Sequence, residues 1–272
     1  MADASGAGPP GSNLAGDAAL LTDTMRDAGA LALSLFRTDL RNWTKGASSP
    51  VSEADIAVND LLEDRLRSAT PDYGWLSEES ADDQKRLGMA RVWIVDPIDG
   101  TRGYLAGRED WCVSVALVEN NSPVLAVVFA PASAEFFFAV RGQGAVRNDA
   151  RLHATAGVDL DFSRVAGPKP LVQRLSRAPG DVALHPRIGS LALRLCRVAD
   201  GSLDAAFAGG QSRDWDLAAA GLIVQEANGN MTALSGESIL YNRREVTHGV
   251  LVAAGRDRHA SIVEQFRQSP LP

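Results

Sequence analysis

The chain has 272 residues, 45% hydrophobic and 22% charged, enough apolar material for a sizeable core and too much for a disordered chain. Lys and Arg number 27 against 34 Asp and Glu, and the net charge of −7 gives no electrostatic reason to bind a nucleic-acid polymer or an anionic membrane. A small anionic substrate is not excluded, because a bound cation reverses the local sign.

The first sixteen residues are rich in Gly, Ala, Pro and Ser and lack the basic and apolar regions of a secretory signal; they read as a flexible tail. No apolar run approaches the roughly 18 residues that span a bilayer. Cys112 and Cys196 sit in apolar runs without a partner at metal-ligand spacing. Together these features predict a soluble, cytoplasmic protein. From Asp17 to Phe36, Leu20, Leu21, Met25, Ala28, Leu31, Ala32 and Leu35 recur at three and four, predicting an amphipathic helix. After a polar stretch from Lys45 to Pro50, Ser52 can cap a second helix, with Asp55 three residues on as in a capping box and Pro71 beyond its end.

The middle reads as an antiparallel meander covered by helices on both faces. Its strands are Arg91–Val95, Trp111–Val118, Val124–Phe129 and Glu135–Val140, with turns at 120–123 and 142–144. The second half alternates: helix 189–198, strand 203–208, helix 216–227, strand 250–254 and a closing helix 258–268. No internal repeat or long linker interrupts it, so 17–272 reads as one α+β domain of two interlocked lobes, about 17–150 and 151–272.

The strongest local signal is Asp96–Pro97–Ile98–Asp99–Gly100–Thr101, directly after the apolar strand. Two carboxylates three residues apart can converge once the chain turns at Pro97, and Gly100 lets backbone approach a ligand closely. Carboxylates and a backbone carbonyl suit a hard divalent cation. Glu78 and Glu79 follow the apolar pair Trp75–Leu76, and Asp214 and Asp216 flank Trp215 before an Ala-rich helix. Alone, each has a plain structural explanation, a solvated edge or a helix cap. The four histidines, His153, His185, His248 and His259, show no metal spacing and read as packing or surface residues.

The series Lys45, SPVSEAD (49–55), SEES (77–80), WIVDPIDGT (93–101), GSLA (189–192) and WDLAAAGLIVQEANG (215–229) resembles the inositol monophosphatase superfamily from about residue 17 to 254. That resemblance implies a layered αβαβα fold and metal-assisted attack of water on phosphorus without a covalent enzyme intermediate. It implies two or three Mg2+ ions: Glu78, Asp96 and the Ile98 carbonyl at the first, Asp96, Asp99 and Asp216 at the second, and Glu78 through water at a third. Thr101, paired with Asp55, would activate the water, a role that competes with Asp55 as a cap. Gly100, Thr101, Arg102, Gly189, Ser190 and Asp216 would contact the substrate, a small phosphorylated metabolite. A homodimer and lithium inhibition are implied as well.

Three positions depart from the family pattern: Ser77 stands for a Gly, Asn228 for the first Gly of the Gly-Gly that ends the last motif, and Gly209 where inositol monophosphatases tend to place a Glu for inositol hydroxyls. The last weakens the case for inositol, and the SPVSEAD wording with Arg102–Gly103–Tyr104 after the motif leans toward a 3'(2'),5'-bisphosphate nucleotidase acting on adenosine 3',5'-bisphosphate. Inositol-1-phosphate and histidinol phosphate are the alternatives, and a non-catalytic relative would have shown degraded ligands, which this chain does not.

Overall fold

Residues 14–46, 49–175 and 185–268 are described by the structure, a computed structural model. Helix α1 (Leu14–Leu35) precedes the hairpin of β1 (Asn42–Lys45) and β2 (Ser49–Ser52), then α2 (Glu53–Ala69), β3 (Gly74–Ser77) and β4 (Arg91–Asp99). A short α3 (Thr101–Leu105) leads into β5 (Cys112–Glu119), β6 (Ser122–Ala130), β7 (Glu135–Val140), β8 (Gly144–Arg147) and β9 (Ala150–Arg151). Next come β10 (Val165–Ala166), α4 (Lys169–Leu175), α5 (Leu191–Ala199), β11 (Ala205–Ala208) and β12 (Ser212–Arg213). The chain continues through α6 (Asp214–Glu226), β13 (Gly229–Ala233), β14 (Thr247–His248), β15 (Leu251–Gly255) and α7 (Arg256–Gln268).

The expected meander is a seven-stranded sheet in the order β3 to β9, antiparallel except for the parallel pair β3–β4. Its central strands bury both faces. In β4, Val92 and Ile94 pack on one side and Trp93 and Val95 on the other, the period of two that a pleated strand imposes. Helices α1 and α2 cover the second face through Leu21, Met25, Val58 and Leu62, while α5 and α6 cover the first. The far side of α5 and α6 packs on a four-stranded sheet, β10-β11-β15-β13, whose outer face is closed by α4 and α7 through Val172, Ile262 and Phe266. The layers therefore run αβαβα.

Two expectations change at element ends. Residues 14–16, read as part of a tail, belong to the first turn of α1; the remainder of that segment, residues 1–13, lies outside the described residues. Pro97 does not make the turn expected of it, because the strand continues to Asp99. Asp96 pairs with Ser114 and Asp99 with Cys112, so β4 advances three residues for two on β5. This is a β-bulge, a place where a strand accepts proline and re-aims its side chains. The chain turns at Gly100 instead, whose φ of 100° favours glycine. A Cβ there would also stand 3.0 Å from the Asp110 carbonyl oxygen. Among the described residues, no helix is long and apolar enough to cross a membrane.

Candidate active site and metal centre

The bulge sends Asp96 and Asp99 toward the end of β4, where β3 also ends and α5 and α6 begin. Glu78 follows β3 directly, its N–H bonded to the Val95 carbonyl at 3.2 Å. Asp216 lies in the first turn of α6. Carboxylate oxygens of Glu78, Asp96 and Asp216 all lie within 4.8 Å of one another, a set that could hold a metal ion. They line a cleft of about 190 Å³ together with Ile98, Asp99 and Thr101. Gly100, Arg102 and Gly189 complete the sequence-predicted residues on that lining.

Each acid is held by a different local device. Asp99 Oδ2 accepts from the Ser190 hydroxyl at 2.6 Å and the Ala192 N–H at 2.5 Å, at the amino end of α5. Asp216 Oδ2 accepts the Arg213 N–H at 2.6 Å, fixing the start of α6 and leaving its other oxygen for the cleft. Asp96 is 1% exposed, and its Oδ1 has no hydrogen-bond partner. Lys45, at the end of the β1–β2 hairpin, donates to the Glu78 carbonyl and pairs with Glu79 at 3.2 Å. Behind the cleft, Asp55 Oδ2 accepts from the N–H and hydroxyl of Ser52, while Asp55 Oδ1 accepts the Thr101 hydroxyl at 3.0 Å. Asp55 therefore caps α2 with one oxygen and holds the Thr101 hydroxyl with the other.

Burial and mutual repulsion dominate the electrostatics. Burial raises the Asp96 carboxyl well above its ordinary range, and the charges of Glu78, Asp99 and Asp216 add to it. Burial and then Asp99 push Asp216 up in the same way. Glu78 is pushed up to about 7 by burial, then by Glu79, with Lys45 opposing. Asp99 is raised by burial, held back by its bonds to Ser190 and Ala192. A divalent cation is the group that relieves such a cluster.

Ser190, expected among the substrate contacts, is buried instead. Its hydroxyl serves Asp99 and accepts the Leu193 N–H at 3.0 Å, capping α5, and its own N–H donates to the Asp110 carbonyl at 3.1 Å. Two arginines not singled out in the sequence, Arg108 and Arg187, share the cleft lining with Arg102. Arg108 is oriented by Asp110, Nε to Oδ1 at 3.1 Å, and Asp110 Oδ2 in turn accepts the Gly189 N–H. The guanidinium lies 3.2 Å from where a Cβ on Gly103 would stand and 3.0 Å from one on Gly189, so both glycines make room for it. Arg187 also borders a cavity of about 360 Å³ with Val165, Gly167, Pro168 and His185.

The sequence profile described as "Inositol monophosphatase family" matches residues 17–271. The chain belongs to the inositol monophosphatase family. It is 35% identical to the inositol-1-monophosphatase of Rhizobium meliloti (strain 1021) over 240 residues, 84% of this chain and 86% of that one. It is 36% identical to the histidinol-phosphatase of Mycobacterium tuberculosis (strain ATCC 25618 / H37Rv) over 212 residues, 73% and 79% of the two chains. The extragenic suppressor protein suhB of Bartonella henselae superposes with a TM-score of 0.80 at 27% identity, covering 92% of this chain and 98% of that one. This family member is a hydrolase of phosphate monoesters. None of these likenesses singles out the bisphosphate nucleotidase branch.

Proposed function

We propose that this phosphatase uses Mg2+ and water to hydrolyse a small phosphate monoester that carries a second anionic group. Adenosine 3',5'-bisphosphate is the first candidate. The observation that carries the metal reading is the convergence of Glu78, Asp96 and Asp216, with a buried Asp96 oxygen left without a partner. The donor set is all hard oxygen, as Mg2+ requires. Asp99 and Asp216 each keep one oxygen beyond those already bonded, so the residues present fit the group. In this reading Glu78, Asp96 and the Ile98 carbonyl hold one ion. Asp96, Asp99 and Asp216 hold a second, with Glu78 near a third. Bound Mg2+ would supply Lewis acidity at the phosphate and acidify the attacking water.

The chain's own residues do the rest. The Thr101 hydroxyl, bonded to Asp55 Oδ1, orients the attacking water by accepting one of its hydrogens and relays the proton to Asp55. Backbone N–H groups of Gly100 and Thr101 at the mouth of the cleft cradle phosphate oxygens. Arg102, Arg108 and Arg187 give the mouth a positive rim above an acidic floor. A guanidinium held by a carboxylate, as Arg108 is by Asp110, is an oriented fork for a second phosphate. The cavity beside Arg187 offers room for the alcohol part of the ester.

Inositol-1-phosphate is the second reading, favoured by the likeness to the Rhizobium meliloti enzyme. Against it stands Gly209. A Cβ there would lie 3.6 Å from Pro168 Cγ, ordinary contact, so packing does not dictate glycine and a hydroxyl-binding carboxylate is simply missing. The deciding experiment is phosphate release with Mg2+, comparing adenosine 3',5'-bisphosphate with inositol-1-phosphate. A hundredfold preference for the nucleotide, about 2.7 kcal/mol in transition-state binding, supports the first reading, and the reverse preference overturns it.

A further inference from the structure

Asp214 opens α6 two residues before Asp216 but faces away from the acidic cluster, into a separate buried network. It is 1% exposed and both oxygens are engaged: Oδ1 with His248 Nε2 at 2.6 Å, Oδ2 with the Asn242 N–H at 2.7 Å. The backbone of the same turn is tied to the same segment. The Asp214 N–H donates to the Val246 carbonyl at 3.0 Å, the Gln211 N–H donates to the His248 carbonyl at 2.9 Å, and β12 pairs with β14. Asn242 is held from the other side by Arg86, whose Nη1 donates to its Oδ1 at 2.7 Å and whose Nη2 donates to Asp82 Oδ2 at 2.7 Å. The Arg86 side chain is itself fully buried. This line of bonds joins the loop that follows Glu78 to the start of α6.

Asp216 takes its position from that start, because its Oδ2 is bound to the Arg213 N–H, one residue before Asp214. Any rotation of the first turn of α6 moves the Asp216 oxygen that faces Glu78 and Asp96. A buried carboxylate and imidazole are costly to desolvate, and well-packed apolar residues would close the helix start with less penalty. What the polar pair adds is direction, since both oxygens of Asp214 are fixed at defined points.

We infer that Asp214 and His248 are a positioning pair for Asp216, and that through it they set the affinity of the site for its cation. This rests on the proposed role of Asp216 as a metal ligand. Neither residue touches the substrate or the reacting atoms.

Calorimetric titration of the full chain with Mg2+ tests it, alongside thermal unfolding in chelator, on the wild type, Asp216→Asn, His248→Ala and His248→Gln. His248→Ala is expected to bind Mg2+ about 10- to 100-fold more weakly, the usual effect of removing an outer partner of a metal ligand. The amide of His248→Gln can still donate to Asp214 and should recover most of that loss. In turnover, the Mg2+ concentration for half-maximal rate should rise more than kcat falls. If Asp216→Asn weakens binding while His248→Ala binds as the wild type does, the positioning role is wrong and the metal reading stands. If Asp216→Asn binds as tightly as the wild type, the metal role of Asp216 fails and the inference with it. Should His248→Ala not fold, His248→Asn, too short to reach Asp214, takes its place with the same expected loss, and unchanged affinity overturns the inference.

Discussion

The Thr101 hydroxyl donates to Asp55 Oδ1 at 3.0 Å, across 46 residues of sequence, while Asp55 Oδ2 binds the N–H and hydroxyl of Ser52. One carboxylate thus starts helix α2 and holds a residue that lines the cleft. Thr101→Val should lower kcat by about 10²- to 10⁴-fold, the range for loss of general-base assistance, and Thr101→Ser should keep most of it. Asp55→Ala should show the same loss and also lose about 1 kcal/mol of stability as the helix start is uncapped. Steady-state kinetics with denaturant unfolding checks both; a Thr101→Val enzyme with wild-type kcat removes Thr101 from the chemistry.

Asp96 is the acid with most to gain from a cation, being buried with an unpartnered oxygen. Chelation should abolish turnover and added Mg2+ restore it. Asp96→Asn should lower kcat/KM by about 10²-fold or more, since in the proposed site it would take a shared ligand from two ions. In chelator the same variant should unfold at an equal or higher temperature than the wild type, because it removes one of several repelling carboxylates. Turnover that survives exhaustive chelation would contradict the metal mechanism.

The Glu78 carboxyl titrates near 4.5 when unperturbed and is pushed up to about 7 in the fold, first by burial and then by Glu79. The folded state therefore holds this proton more tightly than the unfolded chain does. Its contribution to stability is fully present below about pH 4.5 and is lost as pH rises through about 7. Thermal unfolding in chelator should show wild-type stability falling across that window relative to Glu78→Gln, and Mg2+ should remove the difference. A wild type that gains stability relative to Glu78→Gln as pH rises in chelator would contradict this.

Arg108 and Arg187 line the cleft without belonging to its acidic floor. Arg108→Ala or Arg187→Ala should cost about 10- to 100-fold in kcat/KM for adenosine 3',5'-bisphosphate, the worth of one charge-assisted hydrogen bond pair. Inositol-1-phosphate should change by less than about threefold, having no second phosphate to lose. Equal losses on both substrates would place these arginines on the scissile phosphate instead.

Much of the site was legible because its acids sit at punctuated places, the ends of β3 and β4 and the start of α6, where chemistry and helix capping leave the same mark. What the sequence hid was of two kinds. Pro97 argues locally for a turn, and only pairing with β5 shows that a bulge absorbs it. The hairpin β1–β2 was equally obscure, since Ser49 and Pro50 are poor strand formers and their partners lie across the turn. Arg108 and Arg187 carry no periodic or motif signal; they share one cleft lining, where Asp110 holds both Arg108 and Gly189, a contact 79 residues apart. His248 read as packing because nothing in the linear order places it beside Asp214. The helix-covered meander, by contrast, followed from apolar periodicity, since its strands are apolar on both faces, whereas the αβαβα order came from the resemblance to the family.

Asp55, Asp99 and Asp216 each have one oxygen committed to a backbone N–H at the beginning of a helix, Ser52 for α2, Ala192 for α5 and Arg213 for α6. Folding has therefore already removed the rotational freedom of these side chains. An ion or ester bound as proposed would meet groups aimed in advance, so little ordering entropy would oppose its capture. The same economy narrows what mutation can do. Lengthening any of the three to Glu would displace the bonded oxygen and the aimed one together, so the length of each acid is specified twice over.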